Sequence, residues 1–252
     1  MTKVLVAVPC FDQVYSDFAF ALVRLVAYAQ ATYTVCDLRG SDIVGARNSA
    51  AVKAIEEGYT HLAFLDSDMH MPADTIARLL GHGKPVVGAT YIRRCEPYNL
   101  LGVMAEPWSL PGGGDKVLVE ALEMPTGCLL IHTSVLKKIG WPYFAFDYGE
   151  NDGERTGEDI WFCRKAIAAG VKVWCDPKLT RELGHVGGLT GRGAGVEEFG
   201  AAPGGEPAEL DVDVTLGQGM GDALMRADRL RPDLALPGVV AGLVDRIAAD
   251  AT

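Results

Sequence analysis

No stretch of the 252 residues stays apolar for the roughly 20 positions that a bilayer-spanning helix requires; apolar runs such as Val4 to Val8 and Leu62 to Leu65 are short. A transmembrane helix is therefore not expected. A secretory leader is not expected either, because Pro9, Cys10, Phe11 and Asp12 break the first apolar run too early. The six cysteines, Cys10, Cys36, Cys95, Cys128, Cys163 and Cys175, show neither a C-x-x-C pair nor metal-ligand spacing, and are expected as reduced thiols of a cytoplasmic protein. A basic stripe is also missing. The formal net charge is −10, and residues 193–252 hold 11 acids and 4 bases, so the first 192 residues carry only −3. A broad footprint on a nucleic-acid backbone is excluded by that balance, though a narrow DNA contact is not.

What is present is a core-forming composition, 49% hydrophobic and 22% charged, enough for one large domain with or without an appendage. Lys3 to Val8 reads as a buried strand, Phe18 to Gln30 as a helix and Tyr33 to Asp37 as a second strand. Ala46 to Glu57 follows as a helix closed by Gly58, and His61 to Leu65 as a third strand. A helix from about Pro72 to Leu80 and a strand over Pro85 to Ala89 complete a strand–helix alternation that predicts a parallel sheet with helices on its faces. In such sheets ligands bind beyond the carboxyl ends of the strands, where Pro9, Asp37 and Asp66 to Asp68 all fall.

The second half contains a Gly-rich turn over Pro111 to Asp115, strands over Val117 to Glu123 and Gly127 to His132, a helix over Glu158 to Ala169, and a strand over Val171 to Cys175. Beyond that the composition turns to Gly, Ala and acids. Residues 1–189 are assigned to the folded domain. Residues 190–252 are assigned to a linker with a small helical or partly disordered appendage, its one apolar helix candidate being about Pro237 to Ala249.

Chemistry concentrates in few places. Asp66 and Asp68 follow a buried strand at i and i+2, a spacing that lets two carboxylates approach one hard cation such as Mg²⁺ or Mn²⁺. The same acids also read as a loop or cap before Pro72. Glu158 and Asp159 open a helix, where the dipole favours carboxylates and capping alone explains them; functionally, Asp159 is a candidate general base. His185, between Gly184 and Gly187, is a candidate metal ligand with Asp68. Arg47 is a candidate for phosphate or base edges, and equally a solvated helix residue. Arg93 and Arg94 read as an anion clamp or as a surface pair.

The order Val-Ala-Val-Pro, Ala46-Arg47-Asn48, His61 to Met69 with its D-x-D, Thr126 to Ile131, Gly157-Glu158-Asp159 and Gly184 to Gly187 resembles GT-A glycosyltransferases. The likeness is strongest to compact family 2-like enzymes of bacteria and their phages, and it covers about residues 3 to 187. The resemblance implies an α/β fold with a Rossmann-like nucleotide-binding sheet and a smaller acceptor-side sheet, here followed by the Gly/Ala-rich acidic extension. It implies transfer, with inversion, from a nucleoside-diphosphate sugar, UDP-linked by family habit, to an acceptor hydroxyl.

By the same resemblance Asp68 binds the metal, Asp66 contacts the ribose or a metal-bound water, and His185 is a second ligand of Mn²⁺ or Mg²⁺. Pro9, Asp37 and Arg47 line the nucleotide pocket, and Gly127 brings backbone close to the donor sugar. Asp159 is the base with Glu158 as its fallback, and Phe144 to Asp152 face the acceptor. A glycan, a lipid, a protein and a modified DNA base all present a suitable hydroxyl, so the acceptor class is not encoded, and homo-oligomerisation is left open. Two other readings stand beside this one: a nucleotidyltransferase and a non-catalytic nucleotide-sugar-binding protein.

Overall fold

A computed structural model describes residues 1–39, 42–93, 99–106, 117–148 and 155–186. The expected Gly-rich turn over Pro111 to Asp115, Arg94, Cys95, residues 149–152, Gly187 and the whole 190–252 extension with its helix candidate lie outside the described residues. So does the division at 189/190.

In chain order the elements are β1 (Lys3–Pro9), α1 (Ser16–Ala27), β2 (Thr32–Leu38), α2 (Ile43–Glu56), β3 (His61–Leu65), β4 (Met69–His70), α3 (Thr75–Gly81), β5 (Val86–Gly88), β6 (Val103–Met104) and β7 (Val119–Glu123). They continue with β8 (Cys128–His132), α4 (Thr133–Ile139), β9 (Asp147–Tyr148), β10 (Arg155–Thr156), α5 (Glu158–Ala168), β11 (Val173–Cys175), α6 (Pro177–Glu182) and β12 (Gly184–His185).

The chain is an α/β protein. Its central sheet has eight strands among the described residues, in the order β2-β1-β3-β8-β5-β11-β7-β6. Strands β1, β2 and β3 are parallel, as the alternation predicts. The wholly parallel sheet is corrected by the structure: β8 runs antiparallel between β3 and β5, and β7 antiparallel to β11. The reason is that a strand covered on both faces reads as a continuous apolar run whichever way it points; Cys128 to Ile131 is fully buried like its neighbours. Two small ladders, β9 with β10 and β4 with β12, stand apart from this sheet.

Local chemistry sets the ends of the helices. Asp42 accepts a hydrogen bond from the Gly45 N–H at 2.9 Å, which starts α2 three residues before the expected Ala46. The Pro72 carbonyl is taken by the N–H and hydroxyl of Thr75 in a turn, so α3 starts at Thr75 instead of Pro72. Asp176 accepts from the Leu179 N–H at 2.9 Å with Pro177 in the first turn, which makes α6.

The core is organised by an aromatic column. Phe144 lies edge-on to Phe64 of β3, with ring centroids 5.4 Å apart, and stacked on Phe162 of α5 at 4.9 Å. All three rings are fully buried. Such pairs add about 0.5–1.5 kcal/mol each beyond their area, and they fix α5 against the strand that carries Asp66 and Asp68. Phe144 therefore belongs to the core and does not face an acceptor. Its backbone is clamped from α2, where Asn48 donates to the Phe144 carbonyl at 2.7 Å and accepts from the Tyr143 and Phe144 N–H groups.

Candidate active site

The parallel strands β1, β2 and β3 end on one edge of the sheet, and the chain turns there into Cys10, Arg39 and Asp66. Pro9 and Asp37 sit on this edge, one and two strands away from the end of β3. Asp37 pairs with Arg39 at 2.7 Å, both partly exposed. The Asp66 N–H extends the β3–β8 ladder by donating to the Gly127 carbonyl at 3.0 Å, which brings the Thr126-Gly127 turn against the D-x-D.

His185 reaches the same place from 117 residues downstream. It stands opposite Met69 in the β4–β12 ladder, and the next N–H, that of Val186, donates to the Asp68 carbonyl at 2.6 Å. The His185 Nδ1 lies 3.1 Å from the Ile92 carbonyl. A carbonyl can only accept, so Nδ1 carries the proton and Nε2 is left as a lone-pair acceptor. That Nε2 faces Asp68 Oδ2, itself an acceptor, at 3.6 Å. Two acceptors facing each other fit either a shared cation or a proton on Nε2, so the two compete for one place.

Among the described residues no group of three or more His, Cys, Asp or Glu side chains gathers around one point. A cation between Asp68 and His185 would keep positions open for ligands other than these two side chains. That is how Mg²⁺-type sites holding phosphates are built, with one or two carboxylates and the rest from substrate and water.

The third part of the cluster is Arg47. Its side chain is 3% exposed, lies over the Phe64 ring at 5.0 Å, and donates from Nη2 to Asp66 Oδ1 at 3.0 Å and from Nε to Glu158 Oε1 at 3.1 Å. Burial alone would favour loss of its charge, but Asp66 and Glu158 outweigh that and hold the guanidinium ionised. Its third nitrogen, Nη1, is buried with no hydrogen-bond partner among the described residues. An unmade buried hydrogen bond costs about 1–3 kcal/mol, so this bridge is kept at some expense of stability. The solvated-helix reading of Arg47 is corrected by these contacts.

Asp159 follows Glu158 in the first turn of α5. Burial, with the charge of Glu158 beside it, pushes its carboxyl up; the Ile160 N–H, donating to Asp159 Oδ1 at 2.8 Å, and Arg47 pull the other way without cancelling the rise. Gly157 gives this carboxyl its room, since a Cβ there would stand 2.5 Å from Asp159 Oδ1.

Sequence reasoning missed Tyr91. Its buried hydroxyl accepts from the Gly127 N–H at 3.2 Å and its ring meets His185 edge-on at 4.7 Å, so one side chain touches both the turn and the histidine. Burial, helped by the charge of Asp66, holds the phenol well above its ordinary pKa and so protonated. At Gly127 a Cβ would overlap Tyr91 Oη and stand 2.9 Å from Asp66 Oδ2, which leaves glycine as the residue that fits. Nothing in the pattern around Thr90-Tyr91 marks this role; an aromatic after a short apolar strand reads as core.

No protein-family model matches the sequence, and no curated protein matches it. Solved structures do resemble it in three dimensions. A197 from STIV superposes with a TM-score of 0.47 at 18% identity, covering 69% of this chain and 81% of that one. An apo UDP-glucose pyrophosphorylase gives 0.43 at 8% identity, covering 70% and 90%. Mannose-1-phosphate geranyltransferase from Thermus thermophilus gives 0.38 at 11%, covering 57% and 61%. None of them carries a residue role into this chain.

Proposed function

We propose that the chain is a metal-dependent glycosyltransferase that moves a sugar, with inversion, from a nucleoside diphosphate, UDP by the sequence resemblance, to an acceptor hydroxyl. The observation that carries this reading is the gathering on one sheet edge of an acceptor pair suited to a cation, Asp68 with His185, and a carboxyl raised by burial, Asp159. Bound Mn²⁺ or Mg²⁺, held by Asp68 and His185 with Asp66 alongside, would neutralise charge on the departing diphosphate.

The chain's own groups supply the rest. Asp159 takes the proton of the attacking hydroxyl, a task for which a carboxyl above its ordinary range is better matched to neutral pH than an exposed one. Glu158, pinned to Arg47, is the weaker candidate for that task. Gly127 lets backbone approach the donor sugar, and Tyr91 holds the turn that does so. Pro9 and Asp37 border the nucleotide side of the same edge.

The chemistry of the β1–α1 loop favours glycosyl over nucleotidyl transfer. A nucleotidyl site calls for a Gly-rich loop bearing Lys or Arg after the first strand, and Pro9 to Ser16 contains neither Gly, Lys nor Arg.

A thermal-shift panel of nucleoside diphosphates and nucleotide sugars, with and without Mn²⁺, tests the reading on wild type and Asp68→Ala. The expected outcome is stabilisation by one nucleotide, about 2.7 kcal/mol at a hundredfold excess over Kd, dependent on the metal and lost in the variant. Folded wild-type protein indifferent to every nucleotide sinks the reading. Release of pyrophosphate from a nucleoside triphosphate and a sugar 1-phosphate, with no nucleoside diphosphate released from any nucleotide sugar, moves the assignment to nucleotidyl transfer.

A further inference from the structure

Arg47 joins the loop after β3 to the first residue of α5 through its hydrogen bonds, and its geometry argues against direct contact with a nucleotide. Two guanidinium nitrogens are engaged by Asp66 and Glu158, and the third is buried away from solvent. No face of the group is presented to a ligand. What the fork does instead is span the site: Asp66 directly follows β3 on the donor side, and Glu158 is the first residue of α5, whose second residue is Asp159. The next residue of α2, Asn48, holds the backbone at Tyr143 and Phe144, and Phe144 stacks on Phe162 of α5. Arg47 and Asn48 thus tie α2 to the donor loop and, by two routes, to the helix carrying the base.

We propose that Arg47 is a positioning residue that sets the donor loop and the base-bearing helix in register through the Asp66–Arg47–Glu158 bridge, and that it does not bind the nucleotide. The proposal rests on the glycosyl-transfer reading for its consequence in turnover, but the bridge itself can be read without substrate. A bidentate fork fixes two carboxylates at a set angle, and an ammonium is a single point charge, so Arg47→Lys is not conservative here. Glu158 is engaged by the same fork, which leaves Asp159 as the carboxyl free to take a proton.

Two measurements decide it. Amide hydrogen exchange on substrate-free protein should show residues 66–69 and 160–162 losing protection together in Arg47→Lys and in Glu158→Gln, with β1 unchanged. Loss at one segment alone overturns the bridge. The second measurement uses UDP and Mn²⁺ in calorimetry, and UDP release from UDP-glucose with water as acceptor. Arg47→Lys should leave the Kd for UDP within about threefold and lower turnover at saturating donor by roughly 10- to 100-fold, the scale of an ångström's misplacement.

The Arg47→Lys/Glu158→Gln double variant should lose no more turnover than the worse single one. A large rise in Kd with turnover intact would show that Arg47 contacts the donor, and additive losses would show two unrelated roles; either overturns the proposal. Wild-type protein that neither binds UDP nor hydrolyses UDP-glucose counts against the transferase reading, and the exchange result then stands or falls by itself.

Discussion

The two ends of strands β1 and β3 are both polar, in opposite ways. At the amino end hydroxyls and backbone close on each other beside the neighbouring rings of His61 and His132. The Lys3 N–H donates to Thr60 Oγ1 at 3.0 Å, that hydroxyl donates back to the Lys3 carbonyl at 2.9 Å, and Thr133 Oγ1 donates to the Tyr59 carbonyl at 2.9 Å. At the carboxyl end the groups are charged: Arg47, Asp66, Asp68, Glu158 and Asp159, with His185, sit within or against the core, and one guanidinium nitrogen goes without a partner among the described residues. Desolvating charges costs more than their pairing returns unless every hydrogen bond is made. The first end is arranged as stability requires. The second is arranged against it, which is the mark of a site shaped by its task.

The sharpest way to break that contrast is Asp159→Asn. If Asp159 is the base, turnover should fall roughly 10²- to 10⁴-fold while nucleotide and metal binding persist. Stability should move the other way. A carboxyl whose folded pKa lies above its unfolded value destabilises the fold as pH rises from the unfolded value through the folded one, so the penalty is absent in acid and grows towards neutral pH. The amide does not carry it. Thermal unfolding at pH 7 should therefore show the variant more stable than wild type, the difference shrinking as pH falls towards about 4. A variant with near-normal turnover removes Asp159 from the base role, and one destabilised at pH 7 contradicts the burial argument.

Thr133→Val at the amino end should do the reverse, with a smaller effect. It removes one buried donor and leaves the Tyr59 carbonyl short of a partner, a loss of about 1–3 kcal/mol. Nucleotide affinity should not change, because the substitution lies at the far end of the strands from Asp66. Equilibrium unfolding in urea reads the first quantity and calorimetry the second; a shift in affinity would mean that the two ends are coupled.

How far the sequence reaches follows the same division. Strands β1, β2 and β3, the D-x-D at the end of β3 and the acidic first turn of α5 were legible because each is marked locally, by an apolar run, by a doublet of acids or by an N-terminal turn. What was not legible is who meets whom. The placement of β8 between β3 and β5 depends on pairing partners that periodicity does not name. Arg47 reads like any basic residue of an amphipathic helix, since its partners lie 19 and 111 residues away. Tyr91 reads as core for the same reason. Helix α6 could have been found: Asp176-Pro177 is a cap followed by proline in the first turn, a sufficient start signal.

The smallest expected effect separates the two ends by the sign of their response to acid. His61, which opens β3, meets His132 edge-on with centroids 4.8 Å apart, and its Nδ1 lies 2.9 Å from Thr60 Oγ1. Burial, with His132 adding to it, lowers its pKa from 6.5 to about 4. A histidine lowered in the fold costs stability as pH falls: below about 6.5 the unfolded chain takes up a proton that the folded one refuses, and the loss levels off once pH passes the folded value. Asp159, raised in the fold, gives stability back over the acid side of that range. Acid therefore weakens the amino end and relieves the carboxyl end. His61 opens β3, and Asp159 belongs to the cluster at its other end, beyond a strand that spans on the order of 15 Å, so their contributions should add. Against wild type, His61→Gln should flatten the fall of the unfolding temperature between pH 6.5 and 4, and Asp159→Asn should steepen it. A double variant should follow the sum of the two differences. Slopes that His61→Gln leaves unchanged would show that the His61–His132 contact opens to admit the proton, and that the amino end is less tightly closed than its hydrogen bonds imply.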